Sequence, residues 1–544
     1  MANLSQERRE RMLAFLQTLK AQHTDDDSLM ALGEIEKELK AKKYGLVWEG
    51  HEEEVDVKMR THIPVFTVDE DMEIDGDPGS ERFNFLLEGD NLHSLRLLEK
   101  THRGRIDVIY IDPPYNTGNK DDFRYNDAYV VKEDTFRHSK WLSFMSERLQ
   151  IARTLLSSNG CIFISIDDDE QAALKMLCDE VFGEQNFVAS AIWEKKYSPQ
   201  NDAKWLSDSH DFVLVYAKDK EIWRPHLLPR TEEMDKRYKN PDNDPRGPWK
   251  PGDLSVKTYN ASTDYPITTP SGRVVNPPSG YCWRVSRDKF EEMVRDNRIT
   301  FGKDGNNVPA IKRFLSEVKQ GTVCKTIWYR TEVGDTQEGT KDMKAVFDGA
   351  APFTNPKPVR LIERVLKLAS NPNSIILDFF AGSGTTGQAV IQMNAEDGGH
   401  RQFILCTNNE NNICEEVTYE RIKRVINGYG ETAGIPANLM YFRTDFVDKE
   451  SEELSEELLE HIREMIQLEH GIKIDDQKYV IIMDDEEMDA FEQNFSSYTQ
   501  LKAVFINQDV FLSSSQEEML ENVDSYIIPD YYFDFELREA GEIW

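Results

Sequence analysis

Five short apolar runs, IDVIYI (106–111), CIFISI (161–166), FVLVYA (212–217), SIILDFF (374–380) and RQFILC (401–406), are separated by segments of helical or loop character. Runs of this length, apolar on both faces and rich in β-branched and aromatic residues, are satisfied only where layers cover both sides. Their alternation with helical segments predicts an α/β fold on a doubly wound, mainly parallel sheet.

Two of these runs end in turns that carry chemistry. Asp112-Pro113-Pro114-Tyr115 follows the run that ends at Ile111. The C-terminal edge of such a strand faces the crevice where open α/β sheets take ligands. The two prolines stiffen the backbone and remove two N–H donors, leaving their carbonyls as outward acceptors in fixed geometry. Tyr115 adds a flat face. Acceptors beside an aromatic plane suit a planar ligand with an exocyclic NH2, such as a nucleobase; the bland alternative is a rigid turn with a capping Asp. The second turn is Asp378-Phe379-Phe380-Ala381-Gly382-Ser383-Gly384-Thr385-Thr386-Gly387, again a strand, a glycine turn and a helix start. Glycines there let the backbone approach a ligand at a helix N-terminus. Gly382, Gly384 and Gly387 fit the spacing of a dinucleotide fingerprint, with Glu410 after the next strand where a ribose-binding acid belongs. A P-loop is excluded, because Gln388 stands where its lysine is required.

Together the turns separate the readings. A nicotinamide enzyme has no use for an Asp-Pro-Pro-Tyr turn, whereas a methyltransferase uses both: a glycine loop for S-adenosyl-L-methionine and an acceptor turn for the amine that receives the methyl. An NAD-dependent oxidoreductase using 382–387 is the alternative from another enzyme class. A DNA-binding subunit that keeps the cofactor fold without catalysis is a third reading.

The formal net charge of −34 argues against DNA only until its distribution is considered. Residues 431–544 hold about 29 acids against 7 bases, and 1–80 hold 19 against 10. The interval 195–345, with about 27 bases and 22 acids, is mildly basic. Its texture, rich in Pro, Gly, Asn, Trp and Tyr, predicts a separate domain inserted in the sheet rather than a loop. The expected organisation is an N-terminal helical segment and linker (1–80), a first catalytic part (81–196), the insertion (197–345), a second catalytic part (346–430) and a small acidic C-terminal α/β appendage (431–544). Helical stripes are expected at Met12, Phe15, Leu16 and Leu19, at Leu29, Leu32, Ile35 and Leu39, and at Leu454, Leu458, Ile462, Met465 and Ile466. The six cysteines form no C-x2-C pair, so no metal site is expected. With no signal-peptide pattern and no run of about 18 apolar residues, a cytoplasmic protein is expected.

IDPPYNTGNKDDFRYND (111–127) and LDFFAGSGTTGQAV (377–390) resemble motifs IV and I of the amino-group DNA methyltransferases, in the β-class order, with a target-recognition domain between them. The stretch from Trp141 through SSNGCIFISIDDDE, and VFGEQNFVASAIWEKK (181–196), are similar to the methylation (Mod) subunits of type III restriction–modification systems. The resemblance covers roughly 85–425. It implies a Rossmann-like S-adenosylmethionine-dependent fold and transfer of a methyl to adenine N6 in double-stranded DNA, without a metal. Asp112, Pro113, Pro114 and Tyr115 are then catalytic. Phe380, Gly382 and Gly384 wrap the methionine end of the cofactor, with Asp378 near its amino group. Lys357, in Phe353-Thr-Asn355-Pro-Lys357-Pro358, resembles the motif X residue that meets the carboxylate. Glu410 takes the ribose hydroxyls and Asp90, in LLEGDNLHSL, contacts adenine; each is alternatively an ordinary loop or capping acid. Trp193 and Tyr197 are candidates for the base pocket or for the core. An acid at the first motif position favours adenine, since cytosine-N4 enzymes of the family more often carry Ser. An orphan adenine methyltransferase is a further alternative within the family, and glutamine methyltransferases have Asn there. The terminal helical stripes are candidate faces for a homodimer or for the helicase–nuclease restriction subunit that the resemblance implies, with a merely acidic, solvated face around a small α/β appendage as the alternative; no membrane partner is expected.

Overall fold

The computed structural model describes residues 12–20, 30, 32–33, 35–36, 48, 50–117, 136–201, 203–528, 532–533 and 536–538. Leu29, Leu39 and the motif continuation 118–127 lie outside them.

Eleven strands form one sheet. In chain order they are β1 (His62–Val68), β2 (Ile74–Asp75), β3 (Asn84–Glu88), β4 (Ile106–Ile111), β5 (Leu156–Ile166), β6 (Phe187–Glu194), β7 (His210–Ala217), β8 (Ile327–Trp328), β9 (Ile375–Asp378), β10 (Gln402–Thr407) and β11 (Asn438–Asp448). Their order across the sheet is β1-β11-β3-β10-β9-β4-β5-β7-β6-β8, with β2 on β11. From β11 to β5 all neighbours are parallel. β7 is antiparallel to both β5 and β6, and β1 is antiparallel to β11. One sheet edge therefore collects the ends of β3, β10, β9, β4 and β6 together with the beginning of β7.

The expected mainly parallel sheet is thus present, and its strands are apolar because helices cover both faces. In β4 every residue but Asp107 is buried. Asp107 accepts hydrogen bonds from Ile375 N–H at 3.1 Å and the Ser157 hydroxyl at 3.2 Å, tying β9 and β5 to β4 in register. Helices α1 (Asn91–His102), α2 (Arg137–Leu155), α3 (Val359–Ala369) and α4 (Thr385–Asp397) flank the sheet. In α3, Leu361, Ile362, Val365, Leu366 and Leu368 recur at helical spacing and are buried. Each contributes about 1.5–3 kcal/mol of hydrophobic stabilisation.

Pro225–Lys325 forms a compact unit of its own. It holds a three-stranded antiparallel sheet (Trp249–Asp253, Ala310–Phe314, Ile299–Thr300) and a small core including Tyr265, Ile267, Trp283 and Phe290. The expected insertion, 197–345, runs wider than this unit: 197–224 and 326–345 supply β7 and β8 to the main sheet.

The outer boundaries also differ from expectation. β1 and β2 lie within the expected N-terminal segment and linker, and β11 lies within the expected C-terminal appendage, yet all three pair in the main sheet. What remains C-terminal is a parallel three-stranded sheet, β12 (Tyr479–Ile482), β13 (Ala503–Asn507) and β14 (Asp524–Ile528). The stripe at 454–466 falls on two helices, Leu454–Leu459 and Ile462–His470, and its residues Leu454, Leu458, Ile462, Met465 and Ile466 are buried in the chain's own core. It is therefore not a free docking face. At the N-terminus Leu16 is buried, while Met12 and Phe15 are 45% and 63% exposed. No described helix is long and apolar enough to cross a membrane.

Candidate active site

The ends of neighbouring strands β4 and β9 open into one cleft of about 260 Å³. Its walls include Asp112, Pro114 and Tyr115 from the acceptor turn and Asp378, Phe380 and Gly382 from the glycine turn. The two corners singled out in the sequence therefore share a single cavity.

On the acceptor side, Asp112 Oδ1 accepts the Tyr115 hydroxyl at 2.8 Å and Oδ2 accepts Lys357 Nζ at 2.6 Å. Trp141 of α2 donates its indole N–H to the Pro114 carbonyl at 2.7 Å, and Pro113 is buried within the turn. Asn116, left-handed at φ 60°, closes the turn by donating to the Glu170 carboxylate, which His138 also contacts at 2.7 Å. Burial and the nearby Asp112 charge raise the Tyr115 phenol well above its usual range, so the ring stays neutral.

On the glycine side, Gly382 (φ 50°) and Gly384 (φ 74°) take left-handed conformations that a side chain would strain. Gly384 caps α4, and a Cβ there would meet the Thr418 carbonyl at 3.2 Å. Asp378 accepts Phe380 N–H at 3.0 Å and the Thr386 hydroxyl at 2.5 Å, bracing the turn. Burial pushes its carboxyl up to about 7, and the Asp112 charge adds to the rise. Behind the turn, fully buried Arg421 donates to the Ser383 carbonyl at 3.2 Å and the Thr385 hydroxyl at 2.8 Å.

Not every expected residue reaches the cleft. Asp90 caps α1 through Leu92 N–H at 2.8 Å and pairs with buried Arg148 at 3.2 Å. It remains linked to the glycine turn, because its neighbour Asn91 donates to the Phe379 carbonyl at 2.7 Å. Glu410 opens a short turn after β10, away from the cleft lining. Asp90 and Glu410 follow β3 and β10, so both stand at the same sheet edge as Asp112 and Asp378. Trp193 is both core and wall: it lines the cleft and donates to the Gly334 carbonyl at 2.9 Å. Tyr197 is 73% exposed, its ring 4.1 Å from the Arg330 guanidinium, and stands outside the lining.

Lys195 and Asp211, which no motif in the sequence singles out, also line the wall. Lys195 Nζ binds Asp211 Oδ1 at 2.5 Å and Asp208 at 2.9 Å, and burial pushes the Asp211 carboxyl up. A polar residue next to an apolar run was the available signal, but Asp211 stands near the start of its strand instead of at its end. It reaches the functional edge only because β7 runs antiparallel. Among the described residues no group of three side chains is placed to hold a metal ion.

Residues 106–420 match a family model described as DNA methylase. The type III restriction–modification enzyme StyLTI Mod subunit of Salmonella typhimurium strain LT2 is 38% identical over 378 residues, 63% of this chain and 57% of that protein. The EcoPI Mod subunit of Escherichia phage P1 is 34% identical over 381 residues, 60% of this chain and 58% of that protein. The type II methyltransferase M1.MboII of Moraxella bovis is 44% identical over 335 residues, 59% of this chain and 98% of that protein. The chain spans a little over half the length of the Mod subunits it matches. Among solved structures, a complex of M1.HpyAVI with SAM aligns with 62% of this chain and 98% of that one, at 15% identity and a TM-score of 0.28. The family match covers more than half of the chain and contains both walls of the cleft: this chain belongs to the DNA methylase family.

Proposed function

We propose that the protein is a cytoplasmic, site-specific DNA methyltransferase that moves a methyl group from S-adenosyl-L-methionine to adenine N6 in double-stranded DNA, as the modification subunit of a type III restriction–modification system. The observation that supports this reading is the shared cleft, lined both by Asp112, Pro114 and Tyr115 of the first turn and by Asp378, Phe380 and Gly382 of the glycine turn. The similarity to named Mod subunits supports the system assignment. A homodimer and a helicase–nuclease partner belong to the same proposal.

The residues present fit the cofactor. Its amino-acid end carries one ammonium and one carboxylate, and the cleft offers the carboxylate of Asp378 and the ammonium of Lys357 beside a glycine turn a side chain would strain. Phe380 supplies an apolar face, and Glu410 and Asp90 stand at the same edge for the nucleoside end. When bound, the cofactor supplies an electrophilic sulfonium methyl.

The acceptor wall addresses the weak nucleophilicity of an aromatic amine, whose lone pair is delocalised into the ring. Asp112 and the Pro113 carbonyl accept the amine hydrogens, favouring a pyramidal nitrogen with its lone pair free to attack. Tyr115, held by its bond to Asp112, stacks on the base. The amine lies inside the duplex, so the base must be extruded to reach the turn. The chain contributes orientation and electrostatics throughout. The unit Pro225–Lys325, with about 18 bases against 13 acids, is the proposed target reader, placing Lys and Arg on phosphates and polar side chains on base edges.

Modification-sensitive sequencing of DNA from cells expressing the protein tests the whole proposal. N6-methyladenine at one short recurring sequence is expected. No modification, or N4-methylcytosine at such sites, would overturn it.

A further inference from the structure

Lys357 stands where the two halves of the cleft meet. Its Nζ lies 2.6 Å from Asp112 Oδ2, while the other oxygen of that carboxylate is held by the Tyr115 hydroxyl at 2.8 Å. Its backbone carbonyl accepts the hydroxyl of Thr385 at 3.3 Å, in the first turn of α4. The side chain is 11% exposed, with its ammonium 5.0 Å from the Tyr115 ring centroid and 5.8 Å from that of Trp193. One ammonium thus touches the acid of the acceptor turn and is anchored through its own backbone to the glycine turn.

We propose that Lys357 couples the two binding events: it shares its ammonium with a ligand carboxylate at the glycine turn, loosens its hold on Asp112, and so makes that acid a better acceptor for the target amine. The inference rests on the methyl-transfer reading and adds to it a thermodynamic link between cofactor and extruded base.

The physical argument is one of competition. A charge-assisted bond at this distance in a half-buried site is strong, and a carboxylate oxygen engaged by a cation attracts a neutral amine hydrogen less. A second anion drawing on the same ammonium weakens that engagement. Lys195 offers no substitute cation, because Asp211 and Asp208 already hold it. Such coupling is reciprocal by necessity: whatever factor the cofactor adds to base capture, base capture adds to cofactor affinity.

The test uses the full-length protein and a duplex carrying the sequence found by modification mapping, with adenine kept at the target position so that its amine is present and 2-aminopurine beside it to report extrusion. Affinity is measured for the protein alone, with saturating S-adenosylhomocysteine, which keeps the amino-acid carboxylate, and with saturating 5′-methylthioadenosine, which lacks it. Homocysteine-bearing ligand is expected to tighten duplex binding at least tenfold, and methylthioadenosine to leave it within twofold. Lys357→Met is expected to bind the duplex without any ligand as tightly as the loaded wild type, and to respond to neither ligand. Lys357→Arg keeps part of the response. Equal effects of the two ligands on the wild type, an arm that does not depend on any variant folding, would overturn the coupling, as would a tenfold response surviving in Lys357→Met. A wild type that methylates but shows no coupling sinks this inference alone; one that neither extrudes nor methylates sinks the reading beneath it as well.

Discussion

Asp112 and Asp378 end neighbouring parallel strands and yet have opposite environments. Both line the cleft, but Asp112 is partly exposed and held by Lys357 and Tyr115, whereas Asp378 is buried and braces the glycine turn. Asp112→Ala should lower methyl transfer at least 100-fold, as expected when a positioned acceptor is lost, while cofactor affinity by calorimetry does not fall. Gly382→Leu should do the reverse, weakening the cofactor itself, because the left-handed turn admits no side chain without strain. Equal loss of cofactor affinity in both variants would contradict this division. Asp378 also makes a pH prediction. Burial raises its folded pKa to about 7 from an ordinary 3.8, so the folded state binds the proton more tightly than the unfolded state. Stability from this group is greatest at low pH and is lost as pH rises from about 4 through 7. Relative to wild type, the Tm of Asp378→Asn should improve between about pH 4 and 7 and level off above that; parallel Tm curves would refute it. Both acids were legible in the sequence because each interrupts the end of an apolar run. Arg148 and Arg421 were not, since a buried arginine within a helix reads as a surface residue until its partners are known.

At the scale of elements, the acceptor turn depends on α2. The Trp141 indole bond to the Pro114 carbonyl is worth about 1 kcal/mol, typical of a neutral hydrogen bond. Trp141→Phe should therefore lower kcat/KM roughly fivefold with cofactor binding unchanged; a cofactor-binding defect of the same size would show that α2 supports the whole cleft. The glycine turn depends on α4 lying close to the helix Glu420–Asn427. A Cβ at Gly387 would come within 2.5 Å of Ile422 Cδ1. Gly387→Ala should cost about 1–3 kcal/mol in denaturant unfolding, and Ile422→Val, which removes that atom, should recover part of it. Additive costs in the double variant would argue against the clash. The periodicity of α3 and the strands β4, β9 and β10 could be read directly, since one period or one apolar run specifies each. β11 could not: NLMYFRTDFVD follows the glycine-rich stretch GYGETAGIPA, and only its partners β1, β2 and β3 show that it belongs to the main sheet.

At the scale of the whole molecule, the division of labour places chemistry in the main unit and proposes target reading for Pro225–Lys325. Leu228 pairs with Thr322 at the root of that unit, so its entering and leaving strands run side by side. Replacing 225–325 by a short Gly/Ser link should leave Tm and cofactor affinity near wild type and abolish site-specific DNA binding; a loss of cofactor binding would show that the unit supports the main sheet. Domain boundaries were the least legible feature, because composition changes where charge changes, whereas pairing is decided by residues hundreds of positions apart.

In the proposed reaction one cleft brings the methyl donor to a base amine held by Asp112. Incubating wild type and Asp112→Ala with target DNA and S-adenosylmethionine deuterated at the methyl, followed by mass spectrometry of the digested nucleosides, tests it most directly. Labelled N6-methyldeoxyadenosine from the wild type and none from the variant is the predicted result; label in another nucleoside, or undiminished transfer by Asp112→Ala, would contradict it.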